Sequence, residues 1–454
     1  MTDALARLRA AVGGRMRTLS LKIGDGDLAK DTVWGLVFEG SMLLSVLVSF
    51  YLLGRNLGTD GYGLYAGLYA IIAPLGPLAA SGMSLTVLQH AIRDHEPLET
   101  VAGSTISLTL MLGSLLTVIG TVIGVVIVEG LPAWVIFVVM ASEFVAFPIV
   151  QIIANVVQAG IGFPEMVKVK LLPPVFKVIS LLVLSITGTL TIGTFGLSYL
   201  AINVLLGLWL MPVISRRLHL PVRPGPVRWN HLRSSATYST GITASSLTKD
   251  GDKIVLVGNG YDTDNGLYSA AFRIIGMGTI PVASFIHVTH QRFLESDGDA
   301  PGVHLRRAVR FCGVSLVYCA VFAAAIWVTA PIFPMIMGSS FEGSVEMLRL
   351  LSGVMAVQVL VMFPQNGILG LGFTFLRTVL LIMTAGLAML CYILLIPSMS
   401  WRGAVWGSYI SEGIMAVVSW GVLIYLQRRH DRRLEQRWVA EGFEPDPAVG
   451  ATRG

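Results

Sequence analysis

The sequence predicts an all-α polytopic membrane protein of about 12 transmembrane helices, arranged as two pseudo-symmetric six-helix lobes around a central cleft. Three observations predict it: too few charges for a soluble domain, recurrent apolar runs of spanning length, and an internal repeat. Only 13% of the 454 residues are charged, while 54% are apolar. Soluble domains carry about a quarter charged residues, so lipid is the expected solvent.

A helix needs about 20 mostly apolar residues to cross a bilayer. Runs of that kind recur from Trp34 to Leu426, and spans are expected near 33–53, 64–90, 104–128, 132–157, 165–188, 194–215, 236–257, 265–290, 308–330, 345–369, 375–396 and 403–426. Met1–Lys30 has no continuous apolar core of the signal-peptide kind, so the first span is expected to drive insertion. Cys312, Cys319 and Cys391 all fall inside apolar runs, where an odd number of thiols reads as core packing rather than a disulfide or metal framework.

The positive-inside rule sets orientation from the Lys and Arg of the loops. With a cytoplasmic N-terminus, only Arg55 and Arg402 of the 32 Lys and Arg fall on the outer side. Lys177, Lys249, Lys253, Arg273 and Arg349 fall within spans, and the rest gather on cytoplasmic segments and span ends. Both termini are therefore expected in the cytoplasm of a cell-membrane protein. The pI near 9.1 follows from this topology, and no nucleic-acid partner is expected.

The longest internal loop, SRRLHLPVRPGPVRWNHLRSS, carries five arginines and three prolines and parts six spans from six. The expected organisation is a cytoplasmic N-terminal segment (1–32), a first lobe (33–215), the basic inter-lobe loop (216–235), a second lobe (236–427) and a basic tail (428–454). In the first segment Leu5, Leu8, Val12, Met16 and Leu19 form one apolar stripe among arginines, the pattern of a helix lying on the membrane surface. The RRHDRRLEQR run of the tail reads as a solvated, membrane-adjacent face.

The repeat appears when LGRNLGTDGYGLYAGLYAI (53–71) is set under LVGNGYDTDNGLYSAAFRI (256–274). At a constant offset of 203, Leu53/Leu256, Asn56/Asn259, Gly63-Leu64-Tyr65/Gly266-Leu267-Tyr268 and Ile71/Ile274 coincide, and Pro77 and Pro281 follow at nearly the same depth. A second echo pairs Gly193 with Gly403 and Ser198-Tyr199 with Ser408-Tyr409, at an offset of 210. The longer loop around 291–305 accounts for the difference. The Asp-x-Asp of Asp262 and Asp264 would suit a nucleotide-sugar metal, but the first copy has Thr59 and Gly61 there. Gly, Asn, Asp and Thr are residues of turns and helix caps, so a turn and cap is expected, and no metal.

Ten ionisable residues fall inside the expected spans or near their ends: Glu39, Glu143, Lys177, Lys249, Asp250, Asp252, Lys253, Arg273, Arg349 and Glu412. Facing lipid at mid-membrane, each would cost about 2.5–3.5 kcal/mol. They are expected to face one another or a wet cleft. The seventh span, ATYSTGITASSLTKDGDKIVLVG, is the most polar, with eight hydroxyls and four charges in 23 residues. Lys249 and Lys253 share one face with Ser246 and Ile242, and Ile242 matches Glu39 under the repeat, as Arg273 matches Ala70. Two arrangements fit the spacing. The cations line the cleft, or Lys249 pairs with Asp252 and Lys253 with Asp250 inside the helix. Lys177 follows Pro173-Pro174, a kink where backbone groups need polar company, and His287 and His290 read as interfacial packing.

Twelve spans in two sixes, a basic central loop, and NGYDTDNGLYSAAFRI entering an eighth span after a polar seventh resemble the polysaccharide transporters of the multidrug/oligosaccharidyl-lipid/polysaccharide (MOP) exporter superfamily. The resemblance covers most of residues 30–427. It implies a Wzx-like flippase moving polyprenyl-diphosphate-linked oligosaccharide to the outer leaflet, working beside membrane lipids, a polysaccharide polymerase and glycosyltransferases. It implies that Lys249, Lys253, Arg273 and Arg349 bind substrate, with Glu39, Asp250, Asp252, Glu143 and Glu412 as ion-coupling candidates. No catalytic residue, cofactor or nucleotide is implied, and no Walker lysine motif occurs. The alternatives are a cation-coupled multidrug exporter or a peptidoglycan-precursor flippase of the same superfamily. A membrane glycosyltransferase or polymerase fits less well, because the outer loops are short.

The charge bias is testable. Cysteines introduced at Thr263 and Ser400 are expected to react with an impermeant thiol reagent added outside, and one at Gly225 only after permeabilisation. Protection at both outer positions, with labelling at Gly225, would reverse the orientation.

Overall fold

The computed structural model describes residues 25–294 and 301–440. The stripe from Leu5 to Leu19, residues 295–300 of the longer loop, residues 441–454, and the side chains of His287 and His290 lie outside the described ones. Among the described residues every regular element is helical.

Helix α1 (Asp25–Ala79) carries the first crossing and the start of the second, which continues through α2 (Ser81–Leu88) and a π-turn (Gln89–Arg93). The two crossings join at Gly58, whose φ of 69° breaks an otherwise helical run. Next come α3 (Leu98–Ile127), then α4 (Ala133–Ala141), a π-turn (Ser142–Ala146) and α5 (Phe147–Gly160) as one crossing, then α6 (Phe163–Ile186) and α7 (Ile192–Leu218). After residues 219–228 follow α8 (Trp229–Gly258), α9 (Asp262–Gly278) and α10 (Ile280–Leu294), α11 (Val303–Thr329), the short α12 (Ile332–Met337), α13 (Ser344–Leu351) with α14 (Val354–Gly370), α15 (Thr374–Met399) and α16 (Trp401–Ala440).

Nine described helices are long and apolar enough to cross, and α9 with α10, bent by 44°, makes ten. The segment Val33–Arg93 counts once in that tally although it folds at Gly58. Helix α8 escapes it because its hydroxyls and charges lower its hydropathy. Twelve helical crossings result, six before the linker and six after. Two boundaries differ from expectation. Helices cover both ends of the basic 216–235 loop, and the last crossing runs on through the RRHDRRLEQR tail as helix to Ala440. There Asp431 accepts bonds from Gln427 (2.8 Å) and the Gly302 backbone (3.1 Å), which fixes the tail to the start of α11.

The chain forms two compact units. Of the described residues, the first comprises those up to Leu52, Leu78–Thr117 and Ala141–Ala236; the second comprises Leu53–Pro77, Val118–Met140 and those from Thr237 on. The core of the first gathers Met83, Val87, Ile106, Val150, Ile153 and Leu210. That of the second gathers Phe363, Met355, Leu423, Cys312 and Cys319. The latter two thiols are buried and Cys391 is half-buried, all free, as packing roles require. Exposed Val126, Ile186, Leu205 and Val417 form outer faces suited to lipid.

Within the second unit the two copies of the repeat meet. A Cβ on Gly63 would collide with the backbone carbonyl of Asp262, and a Cβ on Gly266 with that of Thr59. Thr59 and Asp262 are themselves repeat mates, so the contact is reciprocal: one pseudo-two-fold axis passes between them. Only glycine permits this backbone approach. Asn265 Nδ2 donates to the Gly63 carbonyl (2.7 Å) and Thr263 Oγ1 to Asp60 Oδ1 (2.7 Å). Each turn also carries a left-handed glycine, Gly58 and Gly260.

Asp262 and Asp264 lie in the first turn of α9, where carboxylates favour the helix dipole. The turn expected there is present, but the cap is not theirs. The N-cap is Tyr261, which makes no side-chain cap bond, and Asp264 instead accepts from Ser400 Oγ. Pro77 and Pro281 likewise mark matched breaks, between α1 and α2 and between α9 and α10. At the first break the carbonyls of Pro74 and Pro77 accept from Thr243 and Ser239 of α8, each at 2.8 Å.

Gly63→Ala or Gly266→Ala is expected to lower the melting temperature of the purified protein, an overpacking cost of about 1–3 kcal/mol. Gly241→Ala, with open space around its methyl, should shift stability by less than about 0.5 kcal/mol. Wild-type melting for both repeat variants would mean that the two copies do not meet.

Candidate substrate site

The polar groups of α8 are built on an apolar scaffold, which decides what each can reach. Lys253 is buried, and its Nζ donates to Asp250 Oδ1 (2.8 Å) and to the Lys249 carbonyl one turn back (2.8 Å). It also lies 4.0 Å from the centre of the Phe272 ring on α9, close enough for cation–π attraction. Each of the two arrangements open on spacing alone holds in part: Lys253 pairs with Asp250 inside the helix, the expected Lys249–Asp252 pair does not form, and Lys249 lines a cavity.

Asp252 is almost wholly buried and accepts a 2.6 Å bond from Tyr268 Oη, with Lys253 Nζ at 3.5 Å. Tyr392 of α15 bonds Ser408 of α16 (3.0 Å) and the Thr248 carbonyl of α8 (3.4 Å). A buried charge without such partners would be prohibitively costly. These tyrosines are what sequence spacing missed. Tyr268 was visible only as a repeat residue, and Tyr392 sits in an apolar run with no polar signal.

Lys249 points the other way. It is exposed, and no hydrogen bond or ion pair of its ammonium occurs among the described residues. It borders two adjoining cavities that share Thr279, Met355 and Gln358, of about 170 and 240 Å³. The smaller is lined by hydroxyls and amides of Ser245, Thr248, Gln365 and Thr384 among apolar side chains, and by Glu412. Glu412 is buried, accepts from Gln358 Nε2 at 3.2 Å, and leaves its second oxygen without a partner among the described residues.

Arg273 lies on an exposed position of α9, beside the phenol of Tyr62, the residue next to the Gly63 crossing. Phe272, its neighbour, lines the 240 Å³ cavity with Lys249. Arg349 belongs elsewhere. It lines a different pocket with Glu342, Glu346 and Trp327, whose ring lies 5.5 Å from its guanidinium.

The remaining candidates lie in the first unit. Glu39 is exposed on α1. Glu143 lies in the π-turn between α4 and α5, an irregularity that recurs at functional positions. Lys177 stands 5.5 Å from the Phe195 ring and 5.2 Å from that of Tyr199. The kink expected at Pro173-Pro174 has its polar company, since Ser45 donates to the Pro174 carbonyl.

Lys253→Ala should strand the carboxylates of Asp250 and Asp252 and reduce the folded, membrane-embedded population; breaking a buried pair costs up to about 3–5 kcal/mol. Combining it with Asp250→Ala is expected to recover most of the abundance, measured by fluorescence-detected size exclusion. Full abundance of the single variant would show that the pair contributes nothing.

The profile of the family described as polysaccharide biosynthesis protein matches residues 52–346. Among solved structures, the chain is similar to a multidrug resistance MATE family transporter of the MOP superfamily in its inward-facing conformation. The TM-score is 0.64 at 16% identity, over 86% of this chain and 96% of that one. The outward-facing form of a MATE family transporter gives 0.56 at 16% identity, over 89% and 95%. A MOP superfamily transporter from Pyrococcus furiosus, with a binding pocket of reverse polarity, gives 0.58 at 15%, over 89% and 95%. No curated protein sequence matches the chain. The chain belongs to the polysaccharide biosynthesis protein family and is built on the fold of the MOP superfamily transporters.

Proposed function

We propose that the protein is a flippase that moves polyprenyl-diphosphate-linked oligosaccharide from the cytoplasmic to the outer leaflet, by exposing its site to each side in turn. One observation carries the reading within this family: α8 and α9 present Lys249 and Arg273 on exposed positions while Lys253 is held back by Asp250. A diphosphate needs cations and no chemistry. Arginine offers it a planar fork and lysine a mobile point charge. The aromatic and hydroxyl groups beside them, Phe272, Ser245 and Thr248, suit a sugar that stacks and hydrogen-bonds. The prenyl chain stays in lipid, so only the head crosses.

The reading includes both termini in the cytoplasm, from the Lys and Arg bias, and residence in the cell membrane. A second reading, a cation-coupled exporter of the same superfamily, is favoured by the buried Glu412 with its unpartnered oxygen.

Lys249→Ala and Arg273→Ala are expected to reduce flipping of a lipid-linked glycan in proteoliposomes by about 10–100-fold each, since a hydrogen bond to a charged group contributes about 1.5–3 kcal/mol. Abundance of Lys249→Ala should stay near wild type, because its ammonium closes no ion pair among the described residues; Arg273 stands beside the buried Tyr62 phenol, so flipping by its variant is read per folded molecule. Undiminished flipping in the double variant would overturn the site. Proton- or sodium-driven efflux of cationic drugs, lost in Glu412→Gln, would favour the second reading.

A further inference from the structure

In the first unit, the start of α8 returns to the turn between the second and third crossings. The linker is strapped along α3: Gly225 N donates to the Gly103 carbonyl (3.0 Å), Ser107 Oγ to the Gly225 carbonyl (2.7 Å), and Arg228 N to Ser104 Oγ (3.0 Å). This strapping brings His231 to a fixed place. On the other side, the π-turn Gln89–Arg93 presents His90, and the Glu96 backbone N–H bonds the His90 carbonyl (2.9 Å), with His95 at a left-handed φ of 56° between them. The chain therefore curls until Glu96 faces His90.

We propose that His90, Glu96 and His231 form a binding site for a divalent transition-metal ion of the zinc type, clipping the start of α8 to the turn between the second and third crossings. The donor atoms of all three lie within 4.8 Å of one another. His90 Nδ1 stands 2.9 Å from Glu96 Oε1, and His231 Nε2 stands 3.3 Å from Glu96 Oε2. Zinc bonds of about 2.0–2.1 Å in a tetrahedron give edges of about 3.3–3.4 Å, so donors that already lie within 4.8 Å of one another must close by no more than about 1.5 Å.

The surroundings match a metal centre in two further respects. His90 turns its other nitrogen, Nε2, to Ser234 Oγ at 3.1 Å, the outer-shell bond that orients a ligating imidazole. His231 is fully buried and His90 nearly so, while Asp94 beside them is partly exposed and places Oδ2 3.2 Å from His90 Nδ1, leaving a fourth position open to that carboxylate or to water.

One group competes. Arg228 Nη1 bonds Glu96 Oε2 at 2.8 Å, and its half-exposed side chain must swing toward solvent as the ion binds. Three ligands at positions 90, 96 and 231 have no recognisable spacing, which is why a metal was not expected from the sequence.

The test uses the full-length protein purified in detergent, stripped with chelator and titrated with zinc, then with cobalt. Wild type is expected to bind one zinc per chain, to melt at a higher temperature with zinc than with chelator, and to give the intense visible absorption of four-coordinate cobalt. Glu96→Gln and His231→Asn should abolish all three, with Glu96→Gln melting in chelator like chelated wild type. Ser234→Ala keeps every ligand, so it guards against a folding defect, and it should weaken zinc by about 10–100-fold. Zinc bound as tightly by Glu96→Gln would place the ion elsewhere. Substoichiometric zinc, or equal melting with zinc and chelator, would leave only a hydrogen-bonded network around Glu96. Either result overturns the site, and neither depends on flipping.

Discussion

The close passage of Gly63 and Gly266 sets the depth of everything that the second unit does. Because each glycine lies against the backbone of the other copy, α9 cannot slide along its axis without a clash. Residues C-terminal to Gly266 are thereby placed. Tyr268 reaches Asp252, and Arg273, seven residues and about 10 Å further along at 1.5 Å per residue, reaches Tyr62, the immediate neighbour of Gly63. The repeat thus supplies a rigid joint at which one copy's tyrosine orients the other copy's arginine. Without the joint, a long arginine on a helix in lipid would have no reason to hold one direction.

That joint was legible in the sequence, since the offset of 203 already matched Gly63 with Gly266 and denied Asp264 a partner acid. The twelve crossings were legible too, from hydropathy and length. What was not legible was the choice between two helical neighbours at equal cost in spacing. Lys253 stands three residues from Asp250 and four from Lys249, and a helical wheel permits either the pair or a shared cationic face. Burial decides it, and burial depends on Phe272 and Tyr268 from α9 and Tyr392 from α15, which no pattern in α8 encodes. The continuation of α16 through a charged tail escaped for a related reason. Polarity marks where a membrane ends, whereas a helix ends only where its backbone is turned.

The division of labour among the charges of α8 follows from solvation. A buried pair such as Lys253–Asp250 adds little net stability, because desolvation offsets the attraction, but it fixes where the charges go. Lys253 is held by a carboxylate, a carbonyl and a ring face, so it has few free donors for any ligand. Its neighbour Lys249 keeps all three. The result is a helix with one neutralised face turned inward and an exposed cation beside the cavities.

Under the proposed function, the same cavity also explains why an acid is tolerated at Glu412. Glu412 and Lys249 line one space, so their charges act on each other through it, and whatever binds one alters the affinity of the other by the same factor in both directions. An anionic head group at Lys249 would raise the cost of a second anion nearby and draw a proton or cation to the unpartnered oxygen of Glu412. Binding of the cation would in turn favour the head group. Glu412 is therefore where a driving ion would be coupled to a diphosphate, in the reading that treats substrate and ion as ligands of one cavity rather than of separate sites.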